Sequence, residues 1–146
     1  MLTLIVGGNG QLGRDLMAVF RGAGDVVGVD LPEIDAADGD AVGRLIDNVR
    51  PALVINAAAY TDVEKAESDR AAAFRANEAG AGIVAAAAAT LGCPVVYYST
   101  DFVFDGQAAA RRPYEPEDPI APRGVYAESK AAGEAATRAA NPRHFI

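Results

Sequence analysis

Short apolar runs alternate along the chain with longer stretches in which apolar residues recur at helical spacing. The runs cover residues 2–6, 26–29, 52–55 and 94–98, with a fifth at 144–146. They are continuously apolar rather than alternating, which is typical of parallel strands buried on both faces. The pattern predicts a parallel sheet truncated in its fifth strand, and we expect the chain to be part of a longer protein.

Helices are predicted in the intervals between these strands. Apolar residues recur at i, i+4, i+7 and i+8 from Leu12, and at i, i+3, i+4 and i+7 from Val42. Segments 71–91 and 125–140 are rich in alanine, the strongest helix former. Alternating strands and helices indicate right-handed βαβ units. We therefore expect an α/β fold, a doubly wound parallel sheet with helices on both faces.

Residues 105–124 are the exception to this alternation. They show no periodicity and carry prolines at 113, 116, 119 and 122. A loop of about 20 residues is uncommon within a compact domain and is usually functional.

The composition is that of a single water-soluble domain. The chain has 146 residues, of which 32 are alanine and 23% are charged. No apolar run approaches the roughly 18–20 residues that cross a bilayer. The apolar start has no basic flank of the kind a signal peptide carries. We therefore expect no membrane partner.

Charge and metal-binding residue types narrow the function further. The net charge of −7 argues against a nucleic-acid partner, which would require a basic surface. The only cysteine, Cys93, excludes an internal disulfide and a cysteine-built zinc site, and we expect it to be buried. The only histidine, His144, argues against a Ser-His-Asp triad. These features fit a cytoplasmic protein.

A glycine-rich turn, GGNGQLG at residues 7–13, links the first strand to the first helix. In a G-x-G-x-x-G turn, the glycines permit a tight turn, close approach of a pyrophosphate, and close packing of helix on strand. Asp30 ends the second strand 17 positions after Gly13, where a carboxylate that binds ribose is expected. The sequence thus predicts a Rossmann-like dinucleotide-binding domain.

A second group of residues suggests acid–base chemistry. Tyr126 and Lys130 are four positions apart, so they share one face of the last predicted helix. A lysine ammonium stabilises a nearby phenolate, so the pair could protonate a reduced ketone; the alternative is an ordinary exposed pair. Ser99 and Thr100 follow the fourth strand, at the sheet edge where ligands of open α/β proteins bind.

Several longer strings identify a family resemblance. They are GQLG at 10–13, VINAAAYTDVEKAE at 54–67, YSTDFVFDG at 98–106, YEP at 114–116 and the helix at 126–134. Over its whole length the chain resembles the extended, nucleotide-sugar-modifying branch of the short-chain dehydrogenase/reductase superfamily. Within that branch it is most similar to the dTDP-4-dehydrorhamnose reductase family.

The resemblance implies a reaction and assigns roles to residues. Family members reduce the 4-keto group of dTDP-4-dehydro-L-rhamnose with NADPH or NADH, in the last step of dTDP-L-rhamnose synthesis. By this resemblance Tyr126 protonates the product oxyanion, Lys130 holds the nicotinamide ribose, and Thr100 hydrogen-bonds the substrate carbonyl. Asn77 would hold a water in the proton relay; without the resemblance it reads as a solvated polar residue.

The resemblance also implies binding sites and partners. Residues 1–146 would form the NAD(P)-binding domain, with most of the nucleotide-sugar pocket in a C-terminal part that this chain lacks. The substrate site would include Thr100, Asp101 and Val103. The cofactor site would comprise Gly7, Gly10, Gln11, Leu12, Gly13, Asp30, Asp35, Ala36, Ala57, Ala58, Ala59, Tyr60, Tyr126 and Lys130.

The chain matches the family incompletely at two points, a magnesium site and the residue after Tyr126. Family members often bind Mg²⁺ at a contact between the subunits of a homodimer. Asp15 matches one acidic ligand there, although it also reads as a solvated surface charge. Ala127 stands where the family often has glycine.

Alternative functions remain open at this point. A nucleotide-sugar 4,6-dehydratase of the same branch would need a glutamate where this chain has Phe102. Another nucleotide-sugar reductase of the branch is also compatible. A non-catalytic regulatory subunit, like that of methionine adenosyltransferase, resembles these reductases too, but the intact Thr100, Tyr126 and Lys130 argue against it.

Asp30 is expected to bias the site towards NADH. Its carboxylate would accept hydrogen bonds from the adenosine ribose and repel a 2′-phosphate. Asp30→Ala should therefore narrow the difference in affinity between NADH and NADPH, measured by titrating both into wild type and variant. Wild-type protein that bound NADPH tenfold more tightly, a gap of about 1.4 kcal/mol, would contradict this.

Overall fold

The sheet has five parallel strands among the residues that the computed structural model describes, 1–107 and 112–146. The strands are β1 (Thr3–Val6), β2 (Val26–Val29), β3 (Leu53–Asn56), β4 (Val95–Tyr97) and β5 (His144–Phe145). Their order is β2-β1-β3-β4-β5. Thr3 is in register with Val26 on one side and Leu53 on the other. The predicted parallel α/β sheet is confirmed. No strand begins or ends more than one residue from its predicted position.

The helices follow the predicted alternation. They are α1 (Gln11–Arg21), α2 (Gly39–Val49), α3 (Val63–Ala66), α4 (Arg70–Phe74), α5 (Ala81–Thr90) and α6 (Val125–Ala140). A π-helical segment, Arg75–Gly80, joins α4 to α5, and a 3₁₀ turn spans Asp101–Val103. The helix predicted at 71–91 is therefore not regular throughout. Alanine favours helix but does not distinguish an α turn from a π turn.

The order of connections places a crevice at one edge of the sheet. The chain goes from β1 to β2 on one side, then returns past β1 to β3 on the other. Right-handed crossovers put α1 on one face, and α2, α5 and α6 on the opposite face. In such sheets ligands bind beyond the carboxyl ends of the strands, where the direction of winding reverses. Here that point lies between the loops that follow β1 and β3.

The main core lies between the sheet and α2 and α5. Its ten residues are Leu4, Val6, Val42, Ile46, Val54, Val84, Ala85, Ala88, Cys93 and Val95. On the other face of the sheet, Thr3, Ile5 and Ile55 are also buried. Burial on both faces is thus correct for the central strands. It is wrong for β2 and β5, whose residues are half-buried or exposed, because these two strands lie at the edges of the sheet.

The predicted loop at 105–124 includes residues 108–111, which lie outside the described residues. Its remaining parts are held by local contacts. Phe104 and Tyr114 stack with ring centroids 4.3 Å apart. The Tyr114 hydroxyl donates to Asp105, and Arg112 pairs with Asp118 at 2.6 Å. Across residues 1–107 and 112–146, no helix is long and apolar enough to cross a bilayer.

Candidate active site

Two glycines allow the loop after β1 to turn tightly into α1. Gly7 has a φ of +86°, in the left-handed region that glycine favours. A Cβ atom there would lie 2.5 Å from the Ala58 backbone nitrogen. A Cβ on Gly13 would collide with the Gly7 carbonyl oxygen. The loop after β1, the start of α1 and the loop after β3 therefore meet with no room for side chains.

The N-terminus of α1 points into the crevice with its amides uncapped by a side chain. Gly10 precedes the helix and has no side chain to accept from the first N–H groups. The space where a Gly10 Cβ would project is open apart from the Gly7 oxygen at 3.3 Å. Free N–H groups at a helix N-terminus bind anionic groups such as phosphates. This end of the crevice therefore has the form of an anion-binding cradle.

Asp30 fixes the glycine-rich loop against β2. Its Oδ2 accepts a hydrogen bond from the Asn9 backbone at 2.9 Å, and its Oδ1 accepts one from Leu31 at 2.8 Å. A carboxylate oxygen has a second lone pair, so each can still accept a hydroxyl from a ligand. Asp30 therefore supports the loop and keeps its capacity to bind a ligand.

A cleft of about 200 Å³ opens beside Asp30. Asp35 and Ala36, which the family resemblance assigned to the cofactor site, line it. Asp35 accepts from the Ala37 backbone at 2.9 Å and pairs with Arg75 at 2.7 Å. These two interactions hold the pKa of the Asp35 carboxyl below its ordinary value. The carboxylate is thus charged and held in place beside the cleft.

A second cleft, of about 510 Å³, adjoins the first. Gly10 and the three alanines 57–59 line both, so the clefts are continuous across these small residues. Asn56 turns the chain after β3 by accepting from Ala58 at 3.1 Å. The second cleft is also lined by Gln11, Leu12, Asp15, Thr61, Tyr98, Ser99, Tyr126 and Lys130.

Lys130 is buried. The alternative interpretation, in which Tyr126 and Lys130 are an ordinary exposed pair on the helix surface, is therefore wrong. Lys130 is 3% exposed, and its Nζ donates to the Tyr98 carbonyl at 2.5 Å. The same Nζ lies 4.2 Å from the centroid of the Tyr97 ring. Burial lowers the pKa of Lys130 to about 8, and the charge of Glu134 acts in the opposite direction. Lys130 therefore titrates near pH 8 at the side of the larger cleft.

Asn77 is fully buried in the π-helical segment, so it is not a solvated helix residue. Its Oδ1 accepts from the Tyr60 backbone at 2.8 Å, and its Nδ2 donates to the Tyr60 carbonyl and to Ser129 Oγ. Its own carbonyl accepts from the Tyr97 hydroxyl at 3.1 Å. Asn77 thus ties the loop after β3 to β4 and α6. A water held for proton relay stays a prediction.

The residues after β4 turn away from the sheet in the 3₁₀ segment. Thr100 Oγ accepts from the Phe102 backbone at 3.2 Å and donates to Asp101 Oδ1 at 3.4 Å. Phe102 is half-exposed and packs edge-to-face on Tyr126, with centroids 6.0 Å apart. Val103 is buried, and the role implied for it on the substrate side stays a prediction.

Comparisons with known proteins agree with this geometry. All 146 residues match the family model described as RmlD substrate binding domain. The chain belongs to this family. The expected resemblance to dTDP-4-dehydrorhamnose reductases is therefore confirmed.

The matches to individual relatives extend over nearly all of this chain but over only about half of each relative's own length. A dTDP-4-dehydrorhamnose reductase of Mycobacterium tuberculosis (strain CDC 1551 / Oshkosh) is 45% identical over 98% of this chain and 47% of its own length. A reductase structure from Clostridium acetobutylicum superposes with a TM-score of 0.95 at 37% identity, over 100% of this chain and 52% of its own. One from Bacillus anthracis, in complex with NADP, gives 0.93 at 34% identity, over 99% and 51%. The chain spans about half the length of these relatives.

The expected acidic ligand, Asp15, is exposed on α1 at the rim of the larger cleft. Within the described part of the chain, no three His, Cys, Asp or Glu side chains are grouped closely enough to hold a metal ion. Asp15 thus has the setting of a solvated charge here, and a magnesium site receives no support from these residues.

Sequence reasoning assigned no role to Glu134, which the structure brings to the site. Its Oε1 accepts from Ser99 Oγ at 2.5 Å, and its Oε2 accepts from Arg138 at 3.0 Å. Glu134 lies four residues after Lys130, on the same face of α6. This opposite charge one turn from the lysine was the signal in the sequence that could have indicated it.

The burial of Lys130 predicts a change of stability with pH. Its pKa is about 8 when folded, against an ordinary value of 10.5. Between these values the unfolded chain binds more protons, so the free energy of unfolding rises with pH. Relative to Lys130→Met, wild type should gain on the order of 3 kcal/mol between pH 7 and pH 10.5, measured by urea denaturation.

Lys65→Met, at an exposed position of α3, is the control for removing a lysine. A difference between wild type and Lys130→Met that stays constant with pH would show that burial does not lower the pKa of Lys130.

Proposed function

We propose that the protein to which this chain belongs reduces the 4-keto group of dTDP-4-dehydro-L-rhamnose, with a nicotinamide dinucleotide as the hydride donor. The observation that carries this is the pair of joined clefts at the carboxyl edge of the sheet. One cleft contains the carboxylate of Asp30, and the other contains Tyr126 and Lys130. The names of the relatives support the choice of substrate.

The residues present fit a dinucleotide. The crowded contacts at Gly7 and Gly13 and the open side of Gly10 form a cradle that larger side chains would fill. We assign the pyrophosphate to this cradle, the adenosine to the cleft beside Asp30, Asp35 and Ala36, and the nicotinamide to the larger cleft. The small side chains of the three alanines 57–59, followed by the Tyr60 backbone, leave space for the cofactor where the two clefts meet. When bound, NADPH or NADH supplies the hydride that attacks C4 of the sugar.

The side chains around the larger cleft manage the proton and the carbonyl oxygen. Tyr126 donates its phenolic proton to the oxyanion that forms at the reduced carbon. Lys130, as a cation, stabilises the resulting phenolate and holds the nicotinamide ribose. Thr100 Oγ accepts from a backbone amide and donates only a long 3.4 Å bond to Asp101, which a substrate carbonyl would replace as acceptor. Asp101, exposed beside it, is assigned to the substrate side as well.

The alternative reactions fit these residues less well. Phe102 has no group to remove a proton from the sugar, as a 4,6-dehydratase requires. A regulatory subunit would have no need of a buried lysine held at the end of β4 beside a tyrosine. Three further inferences from the sequence remain part of the proposal. They are a homodimer, a cytoplasmic location and a C-terminal part that completes the nucleotide-sugar pocket.

The cofactor assignment is tested first by Gly10→Val. The variant side chain would project into the space given to the pyrophosphate, so dinucleotide binding measured by calorimetry should be lost. Gly43→Val is the matched control, because a Cβ at Gly43 on α2 meets no atom within 4 Å. Equal affinity in wild type and Gly10→Val would show that the pyrophosphate lies elsewhere.

The reaction is tested with Tyr126→Phe in the full-length protein. This variant keeps the ring but deletes the proton donor, so kcat with a dTDP-4-keto sugar should fall by about 10²- to 10⁴-fold. Cofactor affinity should barely change. Lys130→Met should reduce both, because Lys130 is assigned to the ribose and to the tyrosine. Retention of more than about a tenth of the wild-type rate by Tyr126→Phe would exclude it as the general acid.

A further inference from the structure

Helix α6 is bonded to two consecutive residues at the end of β4. Lys130 Nζ donates to the Tyr98 carbonyl at 2.5 Å, and Ser99 Oγ donates to Glu134 Oε1 at 2.5 Å. Because Lys130 and Glu134 are four residues apart, these bonds lie one above the other along one face of the helix. Together they fix the position of α6 relative to the end of the strand.

The carboxylate of Glu134 is unusually placed for a charged group. The residue is only 5% exposed. Burying a carboxylate is costly unless its oxygens accept hydrogen bonds, and both do, from Ser99 and Arg138. This buried charge lies one helical turn from Lys130 and bonds Ser99, the neighbour of Thr100, which indicates a role at the site.

We propose that Glu134 is a positioning residue of the reductase site. Its carboxylate holds Ser99, and with it the adjacent Thr100, against the helix that carries Tyr126 and Lys130. The hydroxyl that binds the substrate carbonyl and the phenol that protonates it come from different elements, so their spacing depends on this contact. The inference rests on the proposed function and adds a residue to it.

The charge of Glu134 also acts on Lys130. Burial lowers the pKa of Lys130, and Glu134 partly offsets this. The other ionisable groups nearby are Tyr97 of β4, Tyr98 directly after it, and Tyr126 and Arg138 of α6. Glu134, and none of these other groups, is the neighbour whose charge shifts the pKa of Lys130. Without it, Lys130 would lose its proton at a lower pH.

Two variants of the full-length protein separate these effects. Ser99→Ala breaks the bond to Glu134 and leaves the charge in place. It should lower kcat by about tenfold, the loss expected for one hydrogen bond to a charged group, with an unchanged pH profile. Glu134→Gln removes the charge and should also move the alkaline limb of kcat/KM to lower pH by about one unit. A merely structural role would not move this limb.

Glu128→Gln is the matched control on the same helix. Glu128 is half-exposed and pairs with Arg70 at the surface, so its kcat and pH profile should equal those of wild type. Wild-type kcat and an unmoved alkaline limb in Glu134→Gln would overturn the proposal. Should Glu134→Gln not fold, as judged by circular dichroism, wild-type kcat in Ser99→Ala would overturn it.

The role of Glu134 can also be tested by cofactor binding, without measuring turnover. Because Lys130 is assigned to the nicotinamide ribose, NADH affinity should fall as Lys130 loses its proton. In Glu134→Gln this fall should begin about one pH unit lower than in wild type. Absence of turnover in wild type would count against the proposed function alone. An identical pH dependence of NADH affinity in the two proteins would overturn the role of Glu134.

Discussion

The buried amide of Asn77 joins the three segments on which the site depends. The side chain bonds the backbone of Tyr60 after β3 and the hydroxyl of Ser129 on α6. The backbone carbonyl of Asn77 accepts from the Tyr97 hydroxyl on β4. A fully buried polar group is stable only when its donors and acceptors are paired. The positions of these segments are therefore coupled, and a shift in any one of them would leave a buried group unpaired.

Lys130 illustrates the opposing demands of stability and chemistry at this site. Burying an ammonium lowers stability, and the protein offsets this with the Tyr98 carbonyl, the Tyr97 ring and the charge of Glu134. The result is a cation held in a fixed place at the cleft that Tyr126 also lines, with a pKa of about 8. Functional sites commonly retain such destabilising groups because the reaction requires them.

The two joined clefts are built entirely from residues of this chain, although it spans about half of the relatives' length. The carboxyl ends of parallel strands meet at one edge, so the loops after β1, β3 and β4 converge there. Asp30 lines one of the clefts, to which we assign the adenosine, and Tyr126 and Lys130 of α6 line the other, to which we assign the nicotinamide. A nucleotide-sugar pocket needs more surface than these loops provide. The remaining part of the longer relatives is where we expect that surface.

The sequence by itself determined the succession of strands and helices along the chain, the glycine-rich turn and the placing of Tyr126 and Lys130 four residues apart on one helix. These are local patterns, set by residue spacing and by backbone limits at positions such as Gly7. The tertiary structure alone decided that Lys130 and Asn77 are buried, that β2 is an edge strand, and that a π-helical segment interrupts the alanine-rich helix. It also decided that Glu134 reaches Ser99. Each of these depends on contacts between residues distant in the chain, and burial is a property of the packed elements rather than of any residue's neighbours in sequence.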